Sequence, residues 1–132
     1  MSDAPAPELR DQFGRRIEYL RVSVTDRCNF RCVYCMPVEG LPWLPKADIL
    51  SYEEIAETVR QLAALGLRRV RLTGGEPTIR PQLERLVRML RDAAPLDDVA
   101  LSTNGVRLPE LATPLRAAGL DRVNVSADSL RP

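Results

Sequence analysis

Three cysteines are the residues of this 132-residue chain best suited to carry chemistry, and they lie within eight positions. Cys28, Cys32 and Cys35 form a C-x3-C-x2-C run. Three thiolates this close together can bind three irons of a four-iron cluster and leave the fourth iron open to an external ligand. A structural zinc site normally has four ligands, and the chain has neither a fourth cysteine nor a histidine. The run therefore favours an iron–sulfur site, with three incidental buried cysteines as the structural alternative.

The composition excludes several other kinds of chemistry. Because the chain contains no histidine, imidazole acid–base catalysis, Ser-His or Cys-His nucleophiles and histidine-ligated metals are excluded within it. A net charge of +1 argues against general binding to nucleic acid or to membrane surfaces. Residues 1–11 lack the apolar run of a signal peptide or membrane helix, so a cytoplasmic protein is expected.

The elements that must position the cysteines alternate between strands and helices. Apolar residues alternate in the first strand, and Ser51 with Glu54 forms a capping-box signature that opens the first helix. The strands are predicted near residues 19–24, 69–73, 99–101 and 122–126, with helices at 52–65, 77–94 and 109–118. This β-α-β-α-β-α-β order implies right-handed crossovers and a parallel sheet.

Prolines indicate where the second and third helices begin, and arginines indicate which face of the second helix is exposed. Pro77 is suited to open the second helix, and Pro109 to open the third. Pro114 would then lie inside the third helix, so the sequence predicts a kink there or a later start. The spacing of Arg85, Arg88 and Arg91 predicts a solvent-facing row on the second helix that needs no partner.

Other residues with chemical potential lie at the ends of the predicted strands. Gly74 and Gly75 follow the second strand, at the edge where α/β folds bind ligands, although a tight turn would require the same residues. Arg21 and Arg71 either face solvent or point to a common interior, where their forked guanidinium groups suit a triphosphate. From the residues alone, Tyr34 is a packing residue and Ser126 a hydroxyl bonded to backbone.

The sequence around these positions resembles the radical S-adenosylmethionine (SAM) enzymes and, within them, the MoaA family of GTP 3′,8-cyclases. Four stretches carry the resemblance: TDRCNFRCVYCMP at 25–37, RLTGGEPT at 71–78, STNG at 102–105 and VNVSADSL at 123–130. The resemblance covers the chain from about residue 13 onwards and only the N-terminal part of the family's enzymes.

The resemblance implies a fold, cofactors and site residues. The fold would be α/β, an incomplete radical SAM (βα)6 partial TIM barrel with about four parallel strands and three helices. A 4Fe–4S cluster would be bound by Cys28, Cys32 and Cys35, with SAM on the open iron. The implied SAM contacts are Tyr34, Gly75 and Ser126, and the implied GTP contacts are Arg21, Arg71 and Ser102.

The activity implied by the resemblance is the first step of molybdenum cofactor biosynthesis. Reductive cleavage of SAM gives a 5′-deoxyadenosyl radical, which removes the C3′ hydrogen of GTP, and the C3′ radical attacks C8. The product is (8S)-3′,8-cyclo-7,8-dihydroguanosine 5′-triphosphate. The implied partners are GTP, an electron donor and the downstream cyclic pyranopterin synthase; a homodimer stays open, and no nucleic acid or membrane partner is expected.

The predicted domain organisation is a flexible N-terminal arm at 1–12 and a truncated barrel at 13–132. The family's second 4Fe–4S cluster is expected only in a C-terminal region that this sequence lacks, so the 132-residue piece is expected to be inactive alone. Two alternatives remain at this stage. One is a radical SAM enzyme with another substrate, such as a peptide, and the other is a non-catalytic iron–sulfur module.

Overall fold

A computed structural model describes residues 7–28 and 45–127. Within this range four strands alternate with three α-helices, and the predicted order is confirmed. The elements are β1 (Tyr19–Ser23), α1 (Tyr52–Ala63), β2 (Arg69–Thr73), α2 (Leu83–Ala93), β3 (Asp98–Thr103), α3 (Leu108–Ala118) and β4 (Arg122–Val125). Two single 3-10 turns lie at Lys46–Asp48 and Pro77–Ile79.

The four strands form one parallel sheet in the order β1-β2-β3-β4, as predicted. Neighbours in the sheet are therefore neighbours in the sequence, which is the connectivity of a (βα) barrel wall rather than of a doubly wound sheet. Because all the strands run the same way, the segments after β1, β2, β3 and β4 share one edge. Below, this is called the carboxyl edge.

The two faces of the sheet differ in burial because side chains alternate along each strand. On one face Val70, Leu72 and Leu101 are fully buried and join a core with residues of the three helices, such as Val59 and Leu90. The residues between them, among them Arg21, Arg71 and Ser102, belong to the other face, here called the open face. Helix packing therefore determines which side chains remain available for a ligand.

The start of α1 has the predicted capping box. Ser51 Oγ accepts a hydrogen bond from the Glu54 backbone N–H at 3.1 Å, and the Glu54 carboxylate accepts one from the Ser51 N–H at 2.8 Å. Ile55 and Val59, one turn apart, are buried against the sheet. This cap fixes the point at which the chain enters α1 after the cysteine-bearing segment.

The predicted start of α2 is wrong by six residues. Pro77 opens a 3-10 turn of three residues, and α2 begins only at Leu83. Arg80 precedes Pro81, and the residue before a proline is driven to an extended conformation; Arg80 has φ −73° and ψ 126°. A continuous helix from Pro77 is therefore sterically blocked.

Helix α3 does not start late, although Pro114 lies inside it. The helix runs over 11 residues from Leu108, with Pro109 in its first turn and Gly119 ending it at φ 112°. Pro114 removes one backbone donor from the helix interior. The helix nevertheless continues past Pro114, and Leu115 and Ala118 in its last turn are buried in the core.

The predicted solvent-facing, partnerless arginine row on α2 is wrong at Arg91, and Arg85, although exposed, pairs with Glu53 at 2.6 Å. The Arg91 guanidinium donates to the carbonyl oxygens of Leu96 and Gly119, each at 2.8 Å, and pairs with the Asp121 carboxylate. Arg91 therefore ties the end of α2 to the start of β4.

None of the helices in the part of the chain that the structure describes has the length and apolar character of a membrane span.

Candidate functional site

The carboxyl edge of the sheet collects three of the predicted site residues. Cys28 lies five residues after β1 and is half-buried, Gly75 lies two residues after β2, and Ser126 directly follows β4. Ser126 is exposed, and its backbone N–H donates to the Thr103 carbonyl oxygen at 2.9 Å. Cys32, Tyr34 and Cys35 lie outside the described residues.

The Gly74-Gly75 turn packs against the segment that leads to Cys28. The Gly75 N–H donates to the carbonyl oxygen of Thr25 at 2.8 Å, and the Glu76 N–H donates to that of Arg27 at 2.6 Å. A Cβ added at Gly75 would lie 2.1 Å from the Arg27 carbonyl oxygen, and one added at Gly74 would lie 2.5 Å from that of Thr25. The two glycines are required here by a close backbone approach, which fixes the residue directly before Cys28.

Glu76 is a buried carboxylate that sequence reasoning missed as a separate feature. It is 1% exposed. Its oxygens accept hydrogen bonds from the Thr103 hydroxyl and the Asn104 N–H, each at 2.7 Å, and from the N–H and hydroxyl of Thr78. A buried carboxylate needs such donors, and here they link the turn after β2 to the end of β3. An acidic residue directly after two glycines at a strand end was the available signal.

Arg71 and Ser102 are brought together on the open face. Arg71 Nη1 donates to Ser102 Oγ at 3.3 Å, and Arg71 Nε donates to the Tyr19 hydroxyl at 3.0 Å. The guanidinium of Arg71 thus bridges β1 and β3 across β2. Tyr19 was predicted only as a strand residue, and its hydroxyl in fact orients one of the candidate ligand-binding arginines.

Arg21 lies beside Arg71, because the two are register partners in β1 and β2. Within residues 7–28 and 45–127 no carboxylate forms an ion pair with either guanidinium. Arg122, on the same face of β4, is by contrast paired with Asp98 at 2.6 Å. Among the described residues, Arg21 and Arg71 therefore concentrate positive charge that no carboxylate pairs with, which suits an anionic ligand.

The radical SAM superfamily model matches residues 22–132 of the chain. The chain belongs to the radical SAM superfamily. The match includes the cysteine run and all four strands except the first three residues of β1. The α/β fold predicted from the strand and helix pattern is thereby placed within a partial radical SAM fold.

Curated radical SAM relatives named GTP 3′,8-cyclase share about half of the residues of this chain. Identity is 54% over 123 residues with the protein of Pelotomaculum thermopropionicum, covering 93% of this chain and 38% of the relative. It is 52% over 122 residues with that of Heliobacterium modesticaldum, covering 92% and 37%. With that of Geobacter sulfurreducens it is 51% over 124 residues, covering 94% and 38%. The chain therefore spans less than two fifths of these relatives' length.

Solved structures of BtrN show the same fold. A crystal structure of BtrN in complex with AdoMet and 2-DOIA superposes with a TM-score of 0.62 at 24% identity, covering 82% of this chain and 44% of BtrN. An open conformation of BtrN gives a TM-score of 0.63 at 26% identity, covering 85% and 51%. At this level of identity the likeness supports the radical SAM fold and not a shared substrate.

The residues present fit an iron–sulfur cofactor by the chemistry of their donor set. Thiolates are the usual ligands of iron–sulfur clusters, and Cys28 lies half-buried at the carboxyl edge, where folds of this type bind ligands. Among the described residues alone, no three side chains form a complete metal-binding group. A radical SAM cluster in this chain would therefore depend on Cys32 and Cys35 together with Cys28.

Proposed function

We propose that this chain is the N-terminal part of a GTP 3′,8-cyclase, a radical SAM lyase of molybdenum cofactor biosynthesis. The observation that carries the proposal is the sequence similarity to proteins named GTP 3′,8-cyclase, which share about half of their residues with this chain over more than nine tenths of its length. The reaction would convert GTP to (8S)-3′,8-cyclo-7,8-dihydroguanosine 5′-triphosphate. Because the chain matches only part of those relatives, we propose the activity for a protein of the relatives' length that contains this chain.

The proposed cofactor ligands are the three cysteines, with SAM bound beside them. Cys28, Cys32 and Cys35 would hold a 4Fe–4S cluster, which when bound supplies the electron for reductive cleavage of SAM. Tyr34, Gly75 and Ser126 are the proposed SAM contacts. The packing of Gly75 against Thr25 supports the proximity of the Gly-Gly turn to the cysteine segment.

The proposed substrate contacts lie on the open face. Arg21 and Arg71 would hold the triphosphate of GTP, because a guanidinium donates two parallel hydrogen bonds to phosphate oxygens. Ser102 would act with Arg71, because its hydroxyl already accepts a hydrogen bond from Arg71 Nη1. Their task is to orient the ribose toward the carboxyl edge, which is a positioning contribution to the rate.

The cofactor part of the proposal is tested by anaerobic reconstitution of the 132-residue chain with iron and sulfide. We expect about four irons per chain and a reduced electron paramagnetic resonance (EPR) spectrum that changes when SAM is added. Cys28→Ser, Cys32→Ser and Cys35→Ser should each lower the iron content. A spectrum that SAM leaves unchanged would indicate a fully ligated, non-catalytic cluster and contradict the proposal.

The substrate part is tested on the complete gene product that carries this chain. With SAM, GTP and a reductant, we expect the 3′,8-cyclised nucleotide to form at the expense of GTP, detected by mass spectrometry. Cleavage of SAM without any change in GTP would point to a radical SAM enzyme with another substrate. Conversion of a peptide, instead of GTP, to a modified product would establish that alternative.

A further inference from the structure

Arg80 joins the two ends of the segment that carries the cysteines. The residue follows the 3-10 turn after Gly74-Gly75-Glu76, and its guanidinium forms two hydrogen bonds to backbone. Arg80 Nη1 donates to the carbonyl oxygen of Val24, and Nη2 donates to that of Leu50, each at 2.8 Å. Val24 and Leu50 flank residues 25–49, so one side chain holds both boundaries of the segment.

The guanidinium of Arg80 is itself held in place. Its central carbon lies 4.2 Å from the centroid of the Tyr52 ring, within the range of a cation–π interaction. Tyr52 is buried, and its hydroxyl donates to the Pro81 carbonyl oxygen at 2.7 Å. Burial raises the pKa of the Tyr52 phenol above its ordinary value, so it remains a protonated donor at neutral pH. The residue after Arg80 is therefore anchored to the same ring.

The forked shape of the guanidinium gives this arrangement its effect. Two bonds from one rigid planar group keep the carbonyl oxygens of Val24 and Leu50 at a fixed separation, and hydrogen bonds from a charged donor are stronger than neutral ones. Val24 is fully buried directly after β1, and Leu50 directly precedes the Ser51 cap of α1. Movement of either boundary relative to the other breaks a charge-assisted bond.

We propose that Arg80 is a positioning residue for the iron–sulfur cluster, acting by holding the two boundaries of the cysteine segment. That a cluster is bound here rests on the proposed function, whereas the Arg80 hydrogen bonds are seen in the structure. In this role Arg80 acts through the backbone carbonyl oxygens of Val24 and Leu50. Its loss should therefore increase cluster lability and loosen the segment, while the rest of the sheet keeps its fold.

Arg91 provides a matched control for the test. Like Arg80, it donates to two backbone carbonyl oxygens at 2.8 Å each, but those belong to Leu96 and Gly119, between α2 and β4. Arg91→Ala thus removes a comparable arginine clamp without touching Val24 or Leu50. Arg80→Lys is the milder variant, because lysine keeps the charge but cannot bond both carbonyls in one plane.

The experiment compares wild type, Arg80→Ala, Arg80→Lys and Arg91→Ala after anaerobic reconstitution. The readouts are thermal unfolding, the rate of iron loss to a chelator and deuterium exchange of peptides from residues 25–50 in the iron-free chain. We expect Arg80→Ala to speed iron loss about ten-fold or more over Arg91→Ala, with faster exchange confined to that segment, and Arg80→Lys to lie between. Arg80→Lys keeps the test valid if Arg80→Ala does not fold.

The outcomes separate this inference from the function on which it rests. If wild type binds a SAM-responsive cluster and both Arg80 variants lose iron no faster than Arg91→Ala, the positioning role is wrong while the proposed function stands. If wild type binds no cluster through its cysteines, the proposed function is wrong and the positioning role falls with it.

Discussion

A Cβ added at Gly75 would lie 2.1 Å from the carbonyl oxygen of Arg27. The turn after β2 and the residue before Cys28 are therefore packed backbone to backbone, with space for glycine alone. This contact connects the Gly-Gly-Glu-Pro sequence to the start of the cysteine run, although Cys28 and Gly75 lie 47 positions apart in the sequence.

Gly75→Ala should displace the Arg27 segment. Because the added methyl group overlaps backbone atoms, we expect a loss of about 1–3 kcal/mol in the free energy of unfolding, measured in urea. In a Cys32→Ser, Cys35→Ser background, the half-buried Cys28 thiol should also react faster with a thiol reagent. Gly66→Ala is the control, because its φ of 103° makes alanine strained there but nothing lies within 4 Å. Equal Cys28 reactivity in both variants would contradict the prediction.

Glu76→Gln should destabilise the carboxyl edge. The buried carboxylate accepts from Thr103 and Asn104, and an amide would turn a donor toward at least one of these donors. We expect a loss of about 1–3 kcal/mol in the free energy of unfolding. Thr103→Val should also destabilise, whereas Thr103→Ser, which keeps the hydroxyl, should cost less. Unchanged stability in Glu76→Gln would mean that the carboxylate is not needed as an acceptor.

Arg71→Ala should weaken GTP binding in the complete gene product, if the proposed function holds. Loss of charge-assisted hydrogen bonds to phosphate corresponds to roughly a 10- to 100-fold higher Kd, measured by calorimetry. Tyr19→Phe, which removes the hydroxyl that accepts from Arg71 Nε, should have a smaller effect. Arg122→Ala is the matched control, because that guanidinium is already paired with Asp98. An equal loss in Arg71→Ala and Arg122→Ala would argue against a specific site at Arg71.

Glu57 on α1 should titrate well below an ordinary glutamate. Bidentate hydrogen bonds from Arg60, at 2.5 and 2.8 Å, and one from Gln61 lower the pKa of Glu57 from 4.5 to about 2. A lowered pKa means that Glu57 stabilises the fold above a pH of about 4.5 and that this contribution is lost as the pH falls through about 2.

Carboxyl chemical shifts in a pH titration by NMR measure this pKa directly. In Arg60→Gln the pKa of Glu57 should rise toward 4.5, and added salt should raise it in the wild type because the pair is exposed. Arg88→Gln, at an exposed position on α2, should leave it in place. A Glu57 pKa near 4.5 in the wild type would show that the ion pair does not persist in solution.

Periodicity was sufficient to predict the elements of the fold. Alternating apolar residues located the strands, and the Ser51–Glu54 pair located the start of α1. The errors arose where non-local contacts or steric exclusion decide the outcome. Pro81, not Pro77, determines where α2 can begin, because it forces Arg80 into an extended conformation.

Side chains with long-range roles were harder to predict. Arg91 has the spacing of a solvent-facing residue, yet it bonds to Gly119, 28 positions away. Arg80 likewise bonds to Val24, 56 positions away. No local pattern encodes such partners, because an arginine stem can lie along an apolar surface while its head reaches a distant carbonyl. Glu76 was visible in the sequence as part of a turn, but its burial depends on the end of β3.

The sequential strand order also has a consequence for how the sheet assembles. β3 pairs with β4 between residues 22 positions apart, as in Ala100 with Arg122, whereas β1 pairs with β2 between residues 50 positions apart, as in Tyr19 with Arg69. Each doubling of a closed loop costs about 0.6 kcal/mol in chain entropy. β1, the first of the four described strands along the chain, is thus the strand whose pairing is entropically most demanding, and it closes the loop that contains the cysteines. If the proposed function holds, we expect the cluster to be captured after β2, β3 and β4 have paired, in the same step that closes β1 onto β2.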